Sequence, residues 1–167
     1  MDGVGVLTKE DAISWSVTGP SGRASGWACD VRKTDPYSIY SELDFKEIIR
    51  HEGDSMARFK VRMDEIVESA RIIEQLIDNI PEGEICVKVP KVLKLPVGHW
   101  FRTVEGCRGT FGVYLESDGT TSPYRLKIVP PSLPAAAVVD HLTRGQKVAD
   151  LITIGGSLDY IVPDMDR

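Results

Sequence analysis

The sequence predicts an α+β fold in which helices dominate, with one long helix, one antiparallel β-hairpin and several short helices. Apolar residues recur at spacings of four and three between positions 59 and 77, which is typical of one face of a helix. The runs 111–115 and 124–128 alternate apolar with polar or small side chains, which is typical of paired strands. The length suffices for one core, so we expect a single domain over residues 1–167.

The long helix is predicted over residues 54–79. Asp54 or Ser55 can cap its start, and Pro81 ends it. Its apolar stripe consists of Phe59, Met63, Ile66, Ala70, Ile73 and Ile77. A long helix with such a stripe normally packs in a helical bundle, yet no second helix of matching length is predicted. We therefore expect the packing partners to lie outside this chain; a helix packed across a small sheet is the alternative.

The remaining segments are predicted from turn residues and short periodic runs. The hairpin spans residues 108–129, and three proline residues stop its second strand. Residues 17–43 contain glycine and proline without a sustained period, which predicts a long irregular loop that is either mobile or held by other elements. Residues 155–167 contain a Gly-Gly pair, a proline and three aspartates, which predicts an extended tail.

Composition and motifs exclude several classes of function. The formal net charge of −5 argues against nucleic acid as the main partner. No apolar run is long enough to span a membrane. The three cysteines are widely spaced and form no C-x-x-C pair, so we expect a reducing compartment and no metal centre made by this chain alone. Phosphate-binding glycine motifs are missing too, so we expect neither NADH nor flavin to bind.

Two groups of charged residues are candidates for an interaction surface, and none is identified as catalytic. Arg23, Asp30 and Arg32 lie in the irregular segment. Arg108, Asp118 and Arg125 belong to the hairpin segment. Arginines at interfaces usually pair with carboxylates. The charged residues of the long helix are most simply a solvated or salt-bridged face: Arg58, Lys60, Arg62, Asp64, Glu65, Glu68, Arg71 and Glu74.

Four separated motifs resemble one family, in that family's order. They are TGPSGRASGWACDVRKTDPYSIY (18–40), GDSMARFKVRMDEIVESARIIEQ (53–75), RGTFGVYLESDGTTSPYRLKIVPPS (108–132) and GSLDYIVPDMDR (156–167). They are similar to the C-terminal half of the quinone-site subunit, the 49-kDa or D type, of respiratory complex I, the proton-translocating NADH:quinone oxidoreductase. This resemblance implies the C-terminal part of the fold that the family shares with the large subunit of nickel–iron hydrogenases.

The resemblance also implies a role and a set of site residues. The chain would form part of the quinone-reduction cavity and contact other subunits, notably the iron–sulfur subunit facing that cavity. By motif position, Asp159 and Ile161 would line its deep end with Arg108 nearby. Quinone would be the substrate of the complex, while iron–sulfur clusters and flavin would sit on partner subunits and no cofactor on this chain. The location would be peripheral, on the cytoplasmic side of the membrane.

Departures from the family pattern leave alternatives open. No segment matches the family's N-terminal half, with its histidine- and tyrosine-bearing loop, and residues 85–104 form a shorter connection. Thr110 and Val129 stand where the family commonly has glutamate and arginine. The hydrogenase cysteine pairs are missing, which argues against a nickel site. The alternatives are a subunit of a related membrane-bound hydrogenase or of a ferredoxin- or deazaflavin-dependent oxidoreductase, or an inert assembly domain. We expect the isolated chain to be inactive.

Overall fold

The computed structural model describes residues 1–166 and confirms the α+β class, with helices and one three-stranded antiparallel sheet. The helices are α1 Lys9–Ser14, α2 Gly19–Ala24, α3 Val31–Thr34, α4 Ser55–Ile77, α5 Ser132–Ala137, α6 Val139–Thr143, α7 Asp150–Leu158 and α8 Val162–Met165. The strands are β1 Gly98–Gly106, β2 Gly109–Ser117 and β3 Arg125–Val129.

The long helix α4 is present as predicted, but its apolar stripe faces away from the chain. Asp54 caps the helix, its Oδ1 accepting a hydrogen bond of 2.7 Å from the Ala57 amide. α4 packs on α2 and α7 rather than across the sheet, so the alternative packing is wrong. The large stripe residues are between 48% and 64% exposed: Phe59, Met63, Ile66, Ile73 and Ile77.

The opposite face of α4 combines small apolar residues with buried charges. Ala57, Val61 and Ile72 are buried there, and so are Arg58 and Glu68. A carboxylate oxygen of Glu68 accepts a hydrogen bond of 3.0 Å from the Lys46 amide. The prediction of a solvated or salt-bridged face is therefore wrong for Arg58, which is buried and donates to neutral oxygen atoms. Glu68 forms a salt bridge with Arg71, as that prediction allows.

The predicted hairpin forms β2 and β3 of the sheet, which has the order β1-β2-β3. The strand β1 is an addition to the prediction, because residues 98–106 lack a regular alternation of apolar and polar side chains. Its register with β2 pairs Val104 with Phe111 and closes at Gly106 and Gly109. The tight turn at that end therefore presents only Cys107 and Arg108 between the two strands.

The prediction of an irregular loop over residues 17–43 is wrong. The segment contains α2, α3 and a 3-10 turn at Tyr40–Glu42, and all of α2 is buried. Its glycine and proline residues start and end helices of only four to six residues, which are too short to show a period. Charged contacts inside the chain hold the segment in place.

The predicted extended tail over 155–167 is also wrong where the structure describes it. α7 continues through the Gly-Gly pair to Leu158, and α8 follows after a short turn. The amide of Ser132 donates a hydrogen bond of 3.0 Å to Asp164 Oδ2, which ties α8 to α5. Arg167 lies outside the described residues.

The main hydrophobic core lies between the N-terminal segment and the C-terminal helices. It joins residues from both chain ends: Leu7, Ala12, Val17, Val138, Leu142, Ile154 and Leu158. A smaller cluster of Ala24, Ala57 and Val61 holds α2 against α4. The two ends of the chain therefore depend on each other for burial, and their packing brings the end of α7 beside α4.

Candidate functional site

A charged cleft of about 430 Å³ lies beside α4, the end of β1 and the end of α7. Three guanidinium groups and three carboxylates line much of it: Arg23, Arg32, Arg62, Glu65, Glu105 and Asp159. Helix α4 supplies two of these side chains, about one helical turn apart. The cleft thus forms where separate parts of the chain converge, and no single sequence motif contains it.

Arg23 joins three elements at the base of this cleft. Its Nε donates to Glu65 Oε1 and its Nη1 donates to Glu105 Oε1, both at 2.7 Å. Arg23 is only 2% exposed. Burial alone would lower the pKa of Arg23, but the two carboxylates outweigh burial and raise it above its ordinary value. Burial raises the pKa of Glu105, an effect that Arg23 partly offsets. The bridge therefore links α2, α4 and β1.

Asp30 and Arg32 form a second pair next to the first. Arg32 Nη2 lies 2.7 Å from Asp30 Oδ2, and Asp30 also caps α3 through the Arg32 amide. The Arg32 guanidinium lies over the ring of Phe45, 4.9 Å from its centroid. Burial raises the pKa of Asp30, but hydrogen bonds from Arg32 and its charge reverse this, and the net pKa falls below its ordinary value. The pair gives α3 a fixed start.

Arg108 and Asp159, which the resemblance places together, are in contact. Arg108 Nε donates a hydrogen bond of 2.8 Å to the carbonyl oxygen of Asp159. Arg108 Nη2 lies 3.4 Å from Asp159 Oδ1, and Arg62 Nε lies 4.0 Å from Asp159 Oδ2. Asp159 ends α7 in the left-handed region, with φ of 57°. The Asp159 carboxylate lies between the guanidinium groups of Arg108 and Arg62, without a short contact to either.

Ile161 lines a neighbouring apolar cleft of about 280 Å³. Val104 and Phe111, which are partners across β1 and β2, form its wall with Pro131. Arg108 lines this cleft as well. The three predicted pocket residues therefore lie around the turn between β1 and β2, where a charged cleft and an apolar one adjoin.

A close contact between two glycine backbones sets the position of this turn. A Cβ atom on Gly19 would lie 2.4 Å from the Cα of Gly109. Both residues have positive φ angles, 68° and 134°. The Thr110 amide also donates a hydrogen bond of 3.0 Å to Thr18 Oγ1. Helix α2 and the turn that carries Arg108 therefore touch without intervening side chains.

The two predicted hairpin residues lie apart from the cleft. Asp118 is exposed in the connection between β2 and β3, where its Oδ1 accepts a hydrogen bond of 3.0 Å from the Thr120 amide. Arg125 is exposed on β3, opposite Glu116 of β2. They do not form a pair with each other across the hairpin in the contacts of residues 1–166.

Sequence reasoning misses the site residues Arg62, Glu65 and Glu105. The charge pattern of α4 assigns Arg62 and Glu65 only to a solvated or salt-bridged face, without naming their partners. Glu105 belongs to the unpredicted strand β1. One sequence feature that could have indicated Glu105 as a site residue is its position three residues before Arg108, in the segment EGCR. The spacing of Arg58 and Arg62, one helical turn apart, is another.

Neither a metal cluster nor a membrane-spanning helix is present among the described residues. In this part of the chain, no three histidine, cysteine or acidic side chains come together as possible metal ligands. No helix within residues 1–166 combines the length and apolar character needed to cross a membrane.

The fold closely matches a solved structure from a respiratory assembly. The matching chain belongs to the membrane-bound sulfane sulfur reductase, an archaeal respiratory membrane complex, with a TM-score of 0.92 and 44% identity. The match covers 99% of this chain and 46% of that one. The protein thus has the fold of a subunit of a respiratory membrane complex.

Sequence comparisons define the family. The family model described as respiratory-chain NADH dehydrogenase, 49 Kd subunit, matches residues 1–94 and 87–167. The C/D-type NADH-quinone oxidoreductase subunit of Bacteroides fragilis is 60% identical over the whole chain, which spans 32% of that relative. The D-type subunit of Desulfotalea psychrophila is 46% identical over 98% of the chain, which spans 44% of that relative. The chain belongs to the 49-kDa subunit family of respiratory-chain NADH dehydrogenase and corresponds to the C-terminal part of that subunit.

Proposed function

We propose that this chain forms one wall of the cavity in which NADH:quinone oxidoreductase reduces quinone. The single observation that carries the proposal is the position of Arg108, which contacts Asp159 and also lines the apolar cleft of Ile161. A quinone head group has an apolar ring and two carbonyl oxygens. Small-molecule sites of this kind are mostly apolar with a few placed polar groups, and the two adjoining clefts offer both.

The three residues have separate roles in this proposal. Quinone reduction to quinol consumes two electrons and two protons. Arg108 stabilises the negative charge that develops on a carbonyl oxygen as electrons arrive. Asp159 holds Arg108 in place and relays protons near the head group. Ile161 packs against the ring. The electrons originate from NADH, which is oxidised on another subunit of the complex.

The rest of the complex supplies the redox chemistry and the missing packing. We place flavin and iron–sulfur clusters on partner subunits, since this sequence has no C-x-x-C pair. The exposed stripe of α4 supports a covering element from the remaining part of the subunit, because the chain spans 44% of the Desulfotalea psychrophila relative. The iron–sulfur subunit faces the cavity, the chain is peripheral on the cytoplasmic side, and the isolated chain is inactive.

A second candidate function is a place in an assembly with a different electron acceptor. The similarity to the sulfane sulfur reductase chain, at 44% identity, favours this candidate. The higher identity of 60% to an NADH-quinone oxidoreductase subunit favours quinone. Assays of the complete complex with quinone and with sulfane sulfur compounds distinguish the two.

The test uses Asp159→Asn and Ile161→Met in the complete oxidoreductase. We expect each substitution to lower kcat/KM for quinone about tenfold and to change the sensitivity to quinone-site inhibitors. Asp118→Asn is the matched control, because Asp118 is an exposed aspartate in a distant turn. Unchanged quinone kinetics and inhibitor sensitivity in a fully assembled complex would refute the proposal.

A further inference from the structure

Two arginines one turn apart on α4 differ in how fully their hydrogen-bonding groups are used. Arg58 is buried and donates to four oxygen atoms at 2.8–3.0 Å. Arg62 donates from Nη1 to the carbonyl oxygen of Arg58 at 3.1 Å, but its buried Nε has no hydrogen-bond acceptor. A guanidinium offers five N–H donors, and a buried donor without an acceptor costs free energy. Arg62 therefore retains donors for an oxygen atom of a ligand.

Arg62 lies between two clefts. On one side it lines the charged cleft together with Glu65. On the other side it lines a cleft of about 470 Å³ with Phe59 and Ile152. Asp159 lines both. The Arg62 side chain is 25% exposed, so a ligand in either cleft can reach part of it.

The charges around Asp159 leave an excess of positive charge. Its carboxylate faces Arg108 at 3.4 Å and Arg62 at 4.0 Å, both longer than the ~2.7–2.9 Å of a short charge-assisted hydrogen bond. A second carboxylate near Arg62 is that of Glu65 on α4, but Arg23 Nε already lies 2.7 Å from its Oε1. One loosely held carboxylate therefore serves two guanidinium groups. Such an arrangement favours an oxygen atom on which negative charge develops.

We propose that Arg62 is a further catalytic residue, which donates a hydrogen bond to a carbonyl oxygen of the quinone on the opposite side of Asp159 from Arg108. This inference rests on the proposed function. As the quinone takes two electrons from the complex and two protons, negative charge develops on its oxygens, and Arg62 stabilises that charge. Arg62 remains protonated throughout and forms no covalent bond.

The test compares Arg62→Gln and Arg62→Lys in the complete oxidoreductase with a short-chain quinone as substrate. We expect Arg62→Gln to lower kcat/KM for quinone about 10- to 100-fold, and Arg62→Lys to retain part of the rate because it keeps the charge. Electron transfer from NADH to a water-soluble acceptor should stay unchanged. Arg71→Gln is the matched control, because Arg71 lies on the same helix and its side chain is 55% exposed.

The outcomes separate this inference from the proposed function. If Arg62→Gln keeps kcat/KM within twofold while Asp159→Asn loses it, Arg62 has no such role and the cavity assignment stands. If Asp159→Asn and Ile161→Met are also without effect, the proposed function itself is refuted. If Arg62→Gln prevents assembly, Arg62→Lys decides: an unchanged KM and kcat for quinone overturn the inference, and a raised KM or lowered kcat supports it.

Discussion

Replacing Arg58 by methionine should destabilise the fold severely, because Arg58 joins three parts of the chain. Its guanidinium donates to the carbonyl oxygens of Gly5 and Gly53 at 2.9 and 2.8 Å. It also donates to the hydroxyls of Ser157 and Ser55 at 2.9 and 3.0 Å. No carboxylate lies within ion-pair distance of Arg58 in residues 1–166, and burial lowers the pKa of Arg58 to about 10.

The expected loss follows from the acceptors left behind. Methionine fills much of the volume but donates no hydrogen bond, so the buried Gly5 carbonyl oxygen loses the guanidinium donor. The Gly53 carbonyl oxygen loses it too but still accepts a hydrogen bond of 2.9 Å from the Leu7 amide. Ser55 and Ser157 can still bond to each other, since their hydroxyls are 3.1 Å apart. An orphaned buried acceptor costs about 1–3 kcal/mol, and a lost hydrogen bond to a charged group costs about 1.5–3 kcal/mol. We therefore expect a loss of about 3–5 kcal/mol, a large part of the ~5–15 kcal/mol that stabilises a typical domain.

Urea and thermal unfolding of the subunit measure this loss. Arg144→Met is the matched control, because Arg144 pairs with Asp140 on the surface, where both side chains are about three-quarters exposed. Exposed pairs contribute little to stability because solvent screens them, so the control should unfold almost like the unsubstituted protein. A loss below about 1 kcal/mol for Arg58→Met would show that the buried guanidinium does not hold the three segments together.

Two further predictions concern the other buried arginine and the exposed stripe. Arg23→Met should cost about 3–5 kcal/mol by leaving Glu105 buried without its cation. Adding Glu105→Gln should recover part of this loss in a double-mutant cycle of unfolding free energies, and strict additivity would contradict the bridge. The exposed stripe of α4 should cause the isolated chain to self-associate, which light scattering measures. The double substitution Ile66→Glu and Ile73→Lys should abolish this association, whereas the control Ile85→Glu should not. A monodisperse unsubstituted monomer would contradict this.

The predictable parts of the fold are those with a long, regular signal. The stripe of α4 extends over five helical turns, and β2 and β3 alternate around a turn-rich connection, so local periodicity identifies them. The predictions for the 17–43 segment and the tail fail because helices of four to six residues carry no period, and Gly155 and Gly156 are tolerated inside α7. Tertiary packing, rather than local propensity, forms these helices.

The site is predictable only in part. Family motifs bring Arg108 and Asp159 together, and the structure shows them in contact. The charge pattern predicts only a solvated or salt-bridged face for Arg62 and Glu65, because charges on a helix face do not indicate which distant segment will contact them. The stripe itself predicts a covering partner, but the sequence alone does not reveal that the opposite face of α4 buries Arg58.

The backbone contact between Gly19 and Gly109 has a genetic consequence. Every glycine codon is a single base change from an alanine codon, and a methyl group at position 19 would overlap the backbone of the turn. The turn would have to move, and Arg108 would move with it, although its own side chain would be unchanged. A displacement of about 1 Å can lower an enzymatic rate a hundredfold. If the chain lines the quinone cavity as we propose, a single-base change at the Gly19 codon would slow quinone reduction without replacing any of the three proposed pocket residues.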